Sequence, residues 1–374
     1  MSWYDYYYQH VFNESSSQLV QLSFVGTIII ITINGMSPLT QMVVSIFGLR
    51  PVMLAGTILI AISLELAGFS TKIWHLYLTQ GLLFGIGASF IYVNCVAIPP
   101  QWFTRNKSVA MGIISGGTGI GGVIVPFIMT SINQKLGPAW TYRILGFICF
   151  ACALNTCVWV KERVPQKRER KKFNEIIHFG VLKNKNYLLF IIAANLALFG
   201  NFIPYFYLPS YATYLGLPES QGSALVAVTS ASNFIGRISV GLQADRFGCL
   251  NSFILFNLIA SLSSFFIWTF ATNYGILMAF AVIFGFTSGS YFVLVAPIFA
   301  SILPMNQFYS GLTLAFLTNV IPVFGTNMAS AIQESINTAP FFTYKMFTGV
   351  AYFLGALVLL CLKLKLNKNV FARI

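Results

Sequence analysis

The sequence predicts an all-α integral membrane protein of about eleven transmembrane helices, arranged as two repeated bundles. Three observations lead there. Of 374 residues, 57% are hydrophobic and only 8% charged, whereas a soluble domain carries about a quarter charged residues. Too little polar chemistry is present to coat a globule, and the mean hydropathy is +0.76. The apolar residues also gather into runs of roughly 20, the length of helix that crosses a ~30 Å hydrocarbon core. The shorter alternating segments of an outer-membrane barrel are not seen. Finally, the chain repeats. Displaced by 200 residues, Phe47-Gly48 falls on Phe247-Gly248, Trp74 on Tyr274, and Phe84-Gly85 on Phe284-Gly285. Two such parallel repeats are a transporter architecture, with the substrate path between the halves near the midplane.

Taken in order, the spans are expected at 18–42, 51–70, 74–98, 109–132, 139–160, 187–212, 221–243, 250–271, 274–299, 308–332 and 341–365. Arg50 marks the first turn and Lys72 the second. Arg105 and Lys107 precede the fourth span, and Lys135 follows it. After the fifth span comes the one polar break, 161–186, which opens Lys161-Glu-Arg-Val-Pro-Gln-Lys-Arg-Glu-Arg-Lys-Lys172. It divides the chain into an N-terminal bundle of five spans (1–160), a cytosolic linker (161–186) and a C-terminal bundle of six spans (187–374). The run Lys167–Lys172 reads first as an orientation signal and second as a contact for anionic lipid headgroups.

Lys and Arg set the orientation. With the linker in the cytosol, Arg50, Arg105, Lys107, Arg246, Lys363, Lys365, Lys368 and Arg373 join it there. The opposite face receives only Lys72, Lys135, Arg143 and Lys345, and Arg237 is left inside a span. This places the C-terminus in the cytosol and the N-terminus outside. Met1–Gln18 has no cationic n-region or cleavage site. It is rich in Trp and Tyr, as interfacial anchors are, and holds a sequon, Asn13-Glu14-Ser15.

The net charge of +13 would suggest nucleic acid in a soluble protein. Here the basic residues sit between apolar runs, so no nucleic-acid partner is expected. The cysteines (Cys95, Cys149, Cys152, Cys157, Cys249, Cys361) lie in or beside apolar runs and read as packing residues, not redox or zinc ligands. With three scattered histidines and few acids, no metal, cofactor or enzyme chemistry is expected. Gly117, Gly119 and Gly122 form a formal G-x-G-x-x-G, but inside an apolar span and with no βαβ unit. Small residues at this spacing let helices approach closely.

Two stretches carry a family resemblance. Gln101-Trp-Phe-Thr-Arg-Asn-Lys-Ser-Val-Ala-Met-Gly112, continuing through Ser115-Gly116-Gly117 to Gly121, is one. Asn233-Phe-Ile-Gly-Arg237 with Ala244-Asp-Arg-Phe-Gly248 is the other. They resemble signatures of the major facilitator superfamily, within it the monocarboxylate-transporter group, and closest its fungal branch. The resemblance implies the major facilitator fold, a plasma-membrane or vacuolar location, and alternating-access transport of a small organic anion or related metabolite. A proton is the usual coupling ion. The chain departs from the family in two ways. Trp3–Tyr8 resembles the end of the first of twelve spans, so that span is expected to be missing. Ser45 and Ile46 stand where the other half has Asp245 and Arg246.

Arg237 is the strongest site candidate. A charge inside a span costs about 2.5–3.5 kcal/mol on insertion scales, and the resemblance implies that it holds the substrate carboxylate, which suits a forked guanidinium. Asn233 lies one turn earlier, where carboxylate–proton members carry an aspartate. An amide cannot titrate, though it can bond substrate or a neighbouring helix. Glu65, the one acid inside an N-terminal span, could carry a coupling proton or pair with a neighbour. Asn94, Asn195 and Asn319, with Asn201 and the nearby Pro204 and Pro322, could line a cavity or tie helices together. The resemblance makes Asp245 and Arg246 a gating clasp. A non-transporting sensor or truncated inactive homologue is the alternative reading.

Overall fold

The computed structural model describes residues 16–103, 105–163, 178–336 and 339–367, and every regular element among them is helical. The helices are α1 (Ser16–Gly35), α2 (Ser37–Phe47) and α3 (Leu49–Ala67). Then come α4 (Ile73–Trp102), α5 (Lys107–Trp159), α6 (Lys185–Tyr214), α7 (Glu219–Phe247), α8 (Cys249–Trp268), α9 (Tyr274–Ile302), α10 (Gln307–Ile336) and α11 (Phe342–Leu366). The sequon and Trp3–Tyr8 lie outside the described residues, as does the basic run of the linker.

Among the described residues, α3 to α11 are nine helices long and apolar enough to cross a membrane, and α1 with α2, bent by 48°, are apolar and long enough only when taken together. α5 has 53 residues, which at 1.5 Å per residue is about 80 Å, far more than a bilayer requires. Its backbone leaves helical geometry at Gly137 (φ 80°, ψ 175°), so α5 is two helices. Glycine alone takes that φ without strain, and Pro138 suits the first position of the helix that follows. With α5 counted as two, each of the eleven expected spans has a helical counterpart.

Three spans break beside a proline where the hydropathy pattern runs on without interruption. Pro38 opens α2 after the bend at Met36. α6 breaks at Phe202 just ahead of Pro204. α10 loosens into a 3-10 turn at Pro322–Phe324. In each case the proline lacks the amide that would continue the helix, and its ring crowds the preceding turn.

The repeat is visible at single residues. Gly48 (φ 87°) ends α2 and Gly248 (φ 100°) ends α7, and each donates its amide to the carbonyl four residues back, Val44 or Ala244. A Cβ on Gly85 would lie 3.4 Å from the carbonyl of Ile29. A Cβ on Gly285 would meet the carbonyl of Thr229, the same position one repeat later.

By proximity the chain forms two compact units. The first takes its described residues from Met1–Trp102, Ile124–His178 and Thr313–Val320, the second from Phe103–Val123, Phe179–Leu312 and Ile321–Ile374. In the first, Val25, Ile60, Leu64, Leu76 and Tyr142 form a buried core. Its Lys- and Arg-bearing end is tied by backbone carbonyls: Arg50 Nε donates to Val160 (3.0 Å), Trp102 Nε1 to Lys161 (2.9 Å) and Arg163 to Gln101 (3.2 Å). The second has an aromatic core in which Trp268 stacks on Phe280 (5.0 Å), Phe280 on Phe284 (5.3 Å), and Tyr352 meets Phe284 edge-on. Outward faces are apolar too. Leu54, Ile58, Ile62 and Leu66, four residues apart on α3, are all exposed, a stripe suited to lipid chains.

Candidate functional site

The candidate site is built on α7 within the second unit. Glycines let this helix lie against its neighbours. On the α5 side, a Cβ at Gly112 would be 2.5 Å from the Arg237 carbonyl, one at Gly119 2.9 Å from the Phe234 amide, and one at Gly241 2.5 Å from the Ser108 carbonyl. The glycine run is thus a helix-packing surface. On the α9 side, Gly236 sits on the Phe286 backbone, and a Cβ at Gly289 would be 2.8 Å from both Arg237 Nε and Asn233 Nδ2. No larger residue fits there without moving the pair.

Arg237 is held from several directions and is 7% exposed. Its Nε donates to Asn233 Oδ1 at 2.7 Å, and Nη1 donates to the Ser115 carbonyl of α5, also at 2.7 Å. The guanidinium lies over the Phe292 ring, 4.8 Å from its centroid. Asn233 Nδ2 in turn donates to the Gly285 carbonyl and to Ser288 Oγ, both at 3.1 Å. Ser288 Oγ lies 3.3 Å from the Tyr205 hydroxyl. Neutral dipoles and a ring face thus hold a cation in an apolar interior. Hydrogen bonds to charged groups contribute about 1.5–3 kcal/mol each, and together they offset the cost of placing the charge there. A guanidinium in such surroundings attracts an anion far more strongly than it would in water.

The sequence singled out Arg237 and Asn233 as site candidates and named Ser115 only within the family signature, and it gave no notice of Ser288, Tyr205 or Phe292 beside them. The Gly285–Gly289 spacing and the Pro204 break beside Tyr205 were the available signals. The other asparagines stand apart from these bonds. Asn94 and Asn195 donate to carbonyls of their own helices, Phe90 at 2.7 Å and Ile191 at 2.8 Å. Asn201 accepts from the Tyr352 hydroxyl at 3.0 Å. Asn319 is buried where α10 loosens, and it belongs with Asn94 to the first unit.

Glu65 has a different neighbour. Its carboxylate is 4.0 Å from Arg143 Nε, whose guanidinium also lies over Phe69 and Trp140. Both side chains are partly exposed.

Asp245 reaches across to α5. Oδ1 accepts from the Ser108 amide at 3.1 Å and Oδ2 from the Val109 amide at 2.9 Å. The first amides of a helix lack partners within it and carry partial positive charge. A carboxylate from another helix therefore caps α5 and fastens α7 to it. Arg246 lies over Phe247 at 5.4 Å. In the first unit, Ser45 bonds its own helix at Met42.

The Major Facilitator Superfamily model matches residues 3–326. The chain belongs to this family. Such members are transporters, and the chain resembles ones named as such. It is 28% identical to the agnestins efflux protein AgnL12 of Paecilomyces divaricatus, over 98% of this chain and 83% of that one. It is 32% identical to the MFS-type transporter pynF of Aspergillus niger, over 65% of this chain and 55% of that one, so the match spans about half of pynF. Among solved structures, the E. coli fucose:proton symporter FucP superposes with a TM-score of 0.70 at 15% identity, covering 91% of this chain and 92% of that one. That likeness speaks for the fold: an all-helical major facilitator fold, multi-pass in the membrane.

Proposed function

We propose that this transporter carries a small organic anion or related metabolite by alternating access, as monocarboxylate-transporter-like members do, with Arg237 receiving the anionic group. The observation that carries this reading is the buried Arg237 guanidinium, fixed by Asn233 and the Ser115 carbonyl over the face of Phe292. Asn233 acts as its orienting partner and Tyr205 and Ser288 as the hydroxyls beside it. Asn94 and Asn195, which bond carbonyls of their own helices, and Asn319 are placed outside the group that receives the anion. Glu65, paired with Arg143, is assigned to structure, and a proton, if coupled, uses another route. Asp245 is the clasp that opens and recloses between α5 and α7 during the cycle, with Arg246 beside it. The Lys and Arg distribution supports a cytosolic C-terminus.

The test is transport of a panel of labelled carboxylates and vitamins by cells expressing the chain, beside Arg237→Ala and Arg237→Lys. Arg237→Ala is expected to abolish movement of the accepted compound, and Arg237→Lys to reduce it at least ten-fold. Wild-type rates in a membrane-inserted Arg237→Ala would refute the assignment. A second reading, export rather than uptake, is favoured by the likeness to the agnestins efflux protein AgnL12. Loading cells and following release separates the two directions.

A further inference from the structure

Beside the Asp245 clasp, within the second unit, lies a cavity of about 410 Å³ lined by Arg105, Asn106, Val109, Leu242, Asp245 and Arg246. Its volume falls in the range of small-molecule sites. Its chemistry is lopsided. The one carboxylate in the wall already accepts two backbone amides. Both arginines are exposed side chains, and neither has a carboxylate within 4.0 Å among the described residues. The Arg105 and Arg246 side chains both line this space, Arg246 with its guanidinium also over the Phe247 ring, and an anion bound between two like charges offsets their repulsion. Guanidinium donors match phosphate oxygens two at a time. The Asn106 amide adds a neutral donor, and Val109 and Leu242 provide an apolar wall.

We propose that Arg105, Asn106 and Arg246 bind a phosphate-type anion in this cavity, either a lipid headgroup phosphate or a free phosphate ester. Arg105 precedes the first turn of α5 and Arg246 stands in the last turn of α7. A phosphate held by both spans the same two helices that Asp245 joins, and so strengthens the clasp. The site is on the Lys- and Arg-rich side, where phosphates of anionic lipids and soluble esters are both at hand. It does not depend on which compound the protein carries.

The test uses the purified full-length protein and reads thermal unfolding at constant ionic strength. One arm titrates inorganic phosphate against chloride. The other compares phosphatidylcholine micelles with and without phosphatidic acid. The wild type is expected to show a saturable rise in Tm in at least one arm. A response to phosphate alone identifies a soluble anion, and a response only to phosphatidic acid identifies a lipid headgroup. The double variant Arg105→Gln/Arg246→Gln is expected to need roughly ten-fold or more ligand for the same shift, since charge-assisted bonds are lost. Arg163→Gln, a basic residue of the first unit, is the control and should respond as wild type. If the double variant does not fold, Arg246→Lys keeps the charge, loses the fork, and should weaken the response several-fold. The proposal falls if neither arm exceeds the chloride control, or if the folded cavity variants respond like the wild type.

Discussion

Arg237 and Asn233 stand four residues apart on one helical face, so their partnership is written into the local sequence. What the pair does depends on groups brought from elsewhere. The neutral partner matters most. Asn233 Oδ1 accepts from the Arg237 side chain at 2.7 Å, and Asn233→Asp would place a negative charge there instead. That carboxylate would compete with an incoming anion for the guanidinium. The expected result is a KM raised about ten-fold or more, and transport that newly depends on pH, measured as initial rates across pH 5–8. Tyr205→Phe removes only the hydroxyl beside Ser288. Its expected cost is about 0.5–1.5 kcal/mol, or a two- to ten-fold loss in kcat/KM. Glu65 teaches the converse lesson. The sequence left a relay and a pairing both open for this acid, and folding puts it beside Arg143 at partial exposure. Pairs of that kind contribute about 0–1 kcal/mol. Glu65→Gln is therefore expected to retain transport and its pH profile, and an abolished proton dependence would restore the relay role.

At the scale of elements, the contact between α5 and α7 does the structural work of the site. It needs glycine where backbone meets backbone. Gly112→Val would drive a branched side chain into the Arg237 carbonyl, and transport is expected to be lost while the protein still reaches the membrane. A methyl group added at Gly117 would meet nothing within 4 Å, so Gly117→Ala should be silent in the same assay. The Asp245 cap is the second fastening. Asp245→Asn keeps the shape but not the charge, and is expected to cost about 1 kcal/mol of the fastening. Lower thermal stability, with the conformational equilibrium of α5 against α7 shifted in distance measurements between paired labels, would bear this out. An unchanged equilibrium would reduce Asp245 to a local turn residue.

For the whole molecule, topology is the testable quantity. Eleven spans with the Lys and Arg asymmetry predict Arg105 and Arg246 on one side and Lys72 on the other. In a background freed of native cysteines, single cysteines at Arg105 and Lys72 should react with impermeant reagents from opposite faces. Labelling from one face would rule out the third span, the one segment between these two residues, as a crossing. The repeat supports the register of the spans, because Gly48 and Gly248 share a positive φ and the same bond four residues back.

By itself the sequence determined class, span positions, internal repeat and the two charged groups of interest, Arg237 and Asp245. These follow from hydropathy over a window, from spacing along one helix, and from the energy of a charge in hydrocarbon, all local quantities. The breaks at Met36, Phe202 and Pro322 were hinted at by proline but not placed, since a span pattern looks the same whether the helix is straight or bent. Only the tertiary structure decided that Ser115, Ser288, Tyr205 and Phe292 surround Arg237, that Asp245 caps α5, and that Glu65 belongs to Arg143. Each of these joins helices distant in sequence, and their meeting is set by which glycine faces let backbones come close.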